Sequence, residues 1–78
     1  MFEYTVFGWN VNTGVRMVIV CHCKTTVGAR LAMLNRIRHG FDTKAGDIIR
    51  VVAKLGNCAD ADFDEVMRYS WGMCEYCA

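Results

Sequence analysis

The chain has 78 residues, 54% of them hydrophobic and 22% charged, with a formal net charge of +1. A chain this short forms one domain, residues 1–78, and buries only roughly 60–65% of its unfolded surface, so its own core confers little stability. The charged fraction excludes a disordered-like segment, and a net charge near zero argues against strong binding to a nucleic-acid backbone.

The first predicted element is a strand over residues 2–9. Side chains two apart share a face of a strand, so Phe2, Tyr4 and Val6 point one way while Thr5, Phe7 and Trp9 point the other. Asn10-Val11-Asn12-Thr13-Gly14 follows, rich in residues that tolerate positive φ, and predicts a hairpin turn. The second strand, about 15–24, repeats the pattern. Val15, Met17, Ile19, Cys21 and Cys23 share one face, and Val18 and Val20 lie on the opposite one. The hairpin is therefore apolar on both faces, and a single helix covers only one. The other face must meet a second element or another molecule.

Thr25 or Thr26 is placed to cap a helix over about 27–39. Val27, Leu31 and Leu34, extended by Met33 and Ile37, predict its buried stripe. Gly28, Ala29 and Ala32 then fall on the opposite side, and Arg30 falls inside the apolar arc. Gly40 is expected to end the helix and Phe41 to fold back onto the stripe. Residues 47–55 predict a third strand, with Ile49, Val51, Ala53 and Leu55 on one face. A shorter helix starts with the Asp62-to-Glu65 capping spacing, buries Phe63, Val66, Met67 and Ser70, and stops at Gly72. The tail from Met73 to Ala78 is either a short edge strand or a loose end.

The order is ββαβα, an α+β domain with a three- or four-stranded sheet, one long helix packed on one face and a short C-terminal helix. The crossover from strand two to strand three suggests parallel neighbours in a mixed sheet. The second helix lies either beside the first or on the other face of the sheet.

Charge is bipolar along the chain. Residues 1–55 carry eight Lys or Arg against three acids, a balance of +5, and residues 56–78 carry one Arg against five acids, a balance of −4. The acidic segment is expected to pack beside the basic helix and largely cancel its charge.

Residue chemistry gives no catalytic expectation. Ser70 is the only serine, and neither histidine has a partner base or nucleophile at a recognisable spacing. Asp60 to Glu65 lacks the glycine and the terminal glutamate that a calcium loop needs. Cys21 and Cys23 together with Cys74 and Cys77 have the composition of a four-thiolate zinc set, which would add folding energy to a small core. Against that set, Cys21 and Cys23 sit in mid-strand, where free cysteines pack as small hydrophobes. A zinc-stabilised nucleic-acid-binding module, with Phe7 or Trp9 stacking bases, is the alternative reading. The first basic residue is Arg16 and the longest apolar run, Met17 to Cys21, is far too short to span a bilayer, so the expectation is a cytoplasmic protein with reduced thiols and no membrane association.

What remains is protein binding without catalysis or cofactor. Phe7 and Trp9 either pack beneath the C-terminal segment with Phe63, Trp71 or Tyr76 or, if open, have the composition of binding anchors, with Arg30, Arg36 and the acids Asp60, Asp62, Asp64 and Glu65 as charged contacts. Homodimerisation through the sheet is one outcome, and binding to a larger protein or nucleoprotein complex is the other. In size, element order and lack of catalytic residues, the chain resembles the small inhibitors encoded by phages and mobile elements, such as anti-CRISPR proteins. That resemblance of general character implies an inhibitor that occupies the surface of a host complex.

Overall fold

In the computed structural model, residues 1–40, 43–69 and 73–78 are described. The expected roles of Phe41, Ser70, Trp71 and Gly72 lie outside them. Strand β1 (Phe2–Asn10) is joined by a turn to β2 (Arg16–Cys23), and helix α1 (Thr26–Gly40) leads to β3 (Ile48–Leu55). Helix α2 (Phe63–Tyr69) and the short strand β4 (Cys74–Cys77) complete the chain. The domain is α+β, with a four-stranded sheet in the order β2-β1-β3-β4.

Every neighbouring pair in that sheet is antiparallel. The expected mixed sheet is therefore corrected. β2 and β3 do run parallel across the α1 crossover, but β1 lies between them. Of the two strands that are apolar on both faces, β1 takes the centre, where both faces can be covered, and β2 takes the edge.

The turn between β1 and β2 is built on Asn10. Its side-chain oxygen accepts the N–H groups of Asn12 at 2.9 Å and Thr13 at 3.2 Å, and Gly14 adopts a φ of 78°. Its amide donates to Asp47 Oδ2 at 3.1 Å, tying the turn to the start of β3. Asn10 is buried, and these bonds satisfy it.

Helix α1 begins where Thr25 Oγ1 accepts the N–H of Gly28 at 3.1 Å. Its phase differs from the sequence expectation. Ala29, Met33, Leu34 and Ile37 are buried against Tyr4, Val6, Ile49 and Val51. Val27 and Leu31, expected in the stripe, are 52% and 47% exposed. Gly8 explains the rotation, because a Cβ there would stand 2.7 Å from Met33 and 2.8 Å from Ile37. The bare backbone of Gly8 and the small Ala29 let the helix settle close to the sheet on that side.

Helix α2 occupies the opposite face. Phe7 and Val52 are buried with Val66 and Met67, and Phe63 meets Phe7 edge-on at 5.9 Å. Thr5 directs the chain to this position. Its hydroxyl donates to the Gly56 carbonyl at 2.7 Å and accepts the Cys58 N–H at 2.9 Å, fixing the loop that carries α2 over β1. Among the described residues no helix is long and apolar enough to cross a membrane.

Candidate interaction surface

Phe7, expected at a partner-binding surface, is a core residue instead. Its exposure is 0%, because α2 and Phe63 lie over it. A buried ring cannot stack a base either, so the nucleic-acid reading loses that contact. Trp9 is half-buried at the margin of the same cluster. The Arg16 guanidinium stands 5.7 Å from its ring and 5.1 Å from that of Phe63. The indole N–H of Trp9 is buried with no hydrogen-bond partner among the described residues.

The predicted charged contacts are dispersed. Arg30 is half-buried on α1, with its Nε buried and unpartnered among the described residues, and Arg36 is exposed on the same helix. Asp60, Asp62, Asp64 and Glu65 are exposed on the other side of the sheet, before and within α2. Asp62 caps that helix, its Oδ1 accepting the Glu65 N–H at 3.2 Å. Asp64 pairs with Arg16 at 2.6 Å and Glu75 with Arg50 at 2.9 Å. The acidic segment thus docks on basic residues of β2 and β3, while Arg38 of α1 donates to the Cys77 carbonyl at 3.3 Å. These pairs are exposed, and each contributes about 0–1 kcal/mol.

The four cysteines of the proposed zinc set are not brought together. Cys21 and Cys23 lie on β2 and Cys74 and Cys77 on β4, at opposite edges of the sheet. Three interstrand spacings separate those edges, about 14 Å, which no single tetrahedral ion bridges. Among the described residues no group of three or more His, Cys, Asp or Glu could hold a metal. Cys21 and Cys23 pack against the α1 cluster with their sulfurs 3.8 Å apart. Burial, reinforced by the Cys23 sulfur, pushes the Cys21 thiol above its ordinary pKa. It stays protonated at neutral pH and behaves as an apolar group.

The surplus of apolar surface read from the hairpin survives at the start of β1, where Phe2 is exposed, and as a row along the outer edge of β2. The Asn10 N–H donates to the Val15 carbonyl at 2.9 Å, and the register with β1 continues unbroken to Cys23. Antiparallel alternation then directs the backbone groups of Met17, Ile19, Cys21 and Cys23 toward β1. Those of Arg16, Val18, Val20 and His22 point away from the sheet, and among the described residues no strand pairs with them. The side chains of Val18 and Val20 stand beside this row, 38% and 41% exposed. Neither proline nor lysine interrupts the strand, and its register holds no bulge. These are the devices that ordinarily blunt an edge.

Its ends carry paired polar side chains. Arg16 holds Asp64, and His22 Nε2 lies 3.5 Å from Glu3 Oε2. Sequence reasoning noticed Val18 and Val20 as a second apolar face. It had no means of telling which part of that face the chain would cover, because coverage depends on where α2 lands. No known protein family matches the chain, and no curated protein or solved structure shows significant similarity to it.

Proposed function

We infer that this chain is a non-enzymatic protein-binding module of the cytoplasm. It blocks a larger protein or nucleoprotein complex by occupying its surface, as the small phage-type inhibitors it resembles do, and it needs no cofactor. The observation that supports this reading is the unpaired edge of β2 with Val18 and Val20 beside it. An extended segment laid along that edge gains backbone hydrogen bonds and apolar contact together. The two valines replace Phe7 as anchors, and Trp9 lies beside Arg16 at one end of the edge. Asp60, Asp62, Asp64 and Glu65 supply negative charge for a basic target surface, of the kind that otherwise receives nucleic-acid phosphates. Arg30 and Arg36, on the opposite side of the sheet, supply the converse charge. Five cysteines, none of them in a disulfide among the described residues, suit a reducing compartment.

The test is differential capture. Tagged wild-type chain, Val20→Lys and the control Leu55→Lys are exposed to a bacterial lysate, and the retained proteins are identified by mass spectrometry. Leu55 is 70% exposed on β3, away from the β2 edge, so its variant reports charge alone. The expected result is a defined protein retained by wild type and Leu55→Lys and lost by Val20→Lys. Retention of every wild-type partner by Val20→Lys contradicts the reading.

A further inference from the structure

We propose that the outer edge of β2 is the seam of a symmetric homodimer, in which a second copy of this chain pairs antiparallel along it when no target is bound. This rests on the reading of β2 as a docking edge and names the first occupant of that edge. A two-fold axis normal to the sheet requires each outward-facing residue to meet an outward-facing residue of the partner. One register does this with both valines satisfied. Val18 faces the partner's Val20, Val20 faces the partner's Val18, and Ile19 meets the partner's Ile19 on the axis.

On the α1 side of the seam, Met17 then faces the partner's Cys21. Met17, Ile19 and Cys21 are partly buried against the α1 cluster, and pairing completes their burial. Both sides of the seam are therefore apolar at its centre. At each end Arg16 faces the partner's His22, and each residue brings its own acid, Asp64 or Glu3. Glu3 lies directly across β1–β2 from His22. It is thus two interstrand spacings, about 10 Å, from the partner's Arg16, a gap that a Glu and an Arg side chain span together. Arg16 thus meets the histidine directly and has the partner's Glu3 carboxylate within reach one strand farther on.

Neighbouring registers are poorer. A shift one way sets Arg16 against the partner's Lys24 and Val18 against the partner's His22. A shift the other way sets Arg16 against the partner's Val20 and His22 against Gly14 in the partner's turn. Like charges directly opposite are destabilising, and an apolar match fixes register. In the favoured register the two sheets become one of eight strands, and the open edge is removed from solvent.

Sedimentation equilibrium of the full chain, under reducing conditions and over about 5–500 µM, tests this directly. Wild type and Leu55→Lys are expected to pass from monomer to dimer across the range. Val18→Lys and Val20→Lys each place a charge at two symmetric positions of the seam. Each is expected to weaken the dimer by about a hundredfold, roughly tenfold per position, with an unchanged far-UV circular dichroism spectrum. Wild type that stays monomeric throughout overturns the dimer, as does a Val20→Lys variant that dimerises like wild type. The capture experiment separates the two claims. Monomeric wild type whose target is still lost on Val20→Lys leaves the binding module standing without the dimer. A dimer dissolved by Val20→Lys with target capture intact leaves the dimer standing and removes β2 from target binding.

Discussion

The two faces of the sheet are covered to different extents, and the difference locates the surface available to a partner. On one face α1, 15 residues long, lies over β1, β3 and part of β2, and Tyr4, Val6, Ala29, Met33, Leu34, Ile37, Ile49 and Val51 form one buried cluster. On the other face α2 has seven residues and buries only Phe7, Val52, Val66 and Met67 with their fringe. A helix of n residues is about 1.5n Å long, so α2 spans roughly 10 Å; it meets β2 at Arg16, through Asp64 and Phe63, and leaves Val18 and Val20 partly exposed. Val18 and Val20 are the remainder. In a small domain, the strand left uncovered follows from the length of the second helix more than from the composition of the strand itself.

The sharpest way to break this comparison is Phe7→Ala. If Phe7 is the centre of the α2 cluster, its truncation costs about 3–5 kcal/mol, a large fraction of the stability of a domain this size. Urea denaturation is expected to show a protein largely unfolded or close to it. A loss below about 1 kcal/mol would mean that α2 does not pack on that face.

The α1 face is tested at its closest approach. Gly8→Ala forces a methyl to within 2.7 Å of Met33, and overpacking of this kind costs about 1–3 kcal/mol. Combining it with Met33→Ala is expected to recover part of that cost, because the two residues compete for one volume. Strict additivity in denaturation experiments would contradict the close packing that sets the helix phase.

A smaller effect ties the turn to β3. The Lys44 N–H at 3.0 Å and the Asn10 amide at 3.1 Å hold the Asp47 carboxyl below its ordinary pKa. A carboxylate with a lowered folded pKa contributes stability above its unfolded value, near 3.9, and loses it as pH falls through the folded one. Wild type is therefore expected to melt higher than Asp47→Asn at neutral pH, with the difference shrinking in acid below the usual carboxylate range. A difference that is constant with pH contradicts this contribution. The smallest expected change in folding stability belongs to Val18→Lys and Val20→Lys, within about 0.5 kcal/mol in dilute solution, since both sites already face water.

The parts legible in the sequence were those with local causes. The Asn-rich turn, the Thr25 cap, the alternation of β3 and the Asp62 start of α2 depend on residues a few positions apart, and the structure has them where local chemistry puts them. The phase of α1 was not legible. Val27, Leu31 and Leu34 match a helical stripe by hydropathy, whereas the structure selects Ala29 because Gly8, far away in sequence, admits close contact. The buried Thr5 and Asn10 were missed for the same reason, since Thr5 bonds to Gly56 and Cys58 and Asn10 to Asp47. For the candidate site, the two-faced pattern of the hairpin was legible, but of its two rings Phe7 is core and Trp9 is half-buried. Phe7 and Val18 share a face through the β1–β2 register, which alternation within each strand does not give, and the landing point of α2 separates the covered residue from the open one.

Amide hydrogen exchange resolved along the hairpin tests the central claim most directly. The account predicts slow exchange throughout β1 at every protein concentration. The outward amides of Val18, Val20 and His22 should exchange rapidly in dilute protein and become protected as concentration rises. Protection of those three amides at the lowest concentration would show that the chain covers its own β2 edge, and rapid exchange at every concentration would show that no second copy does.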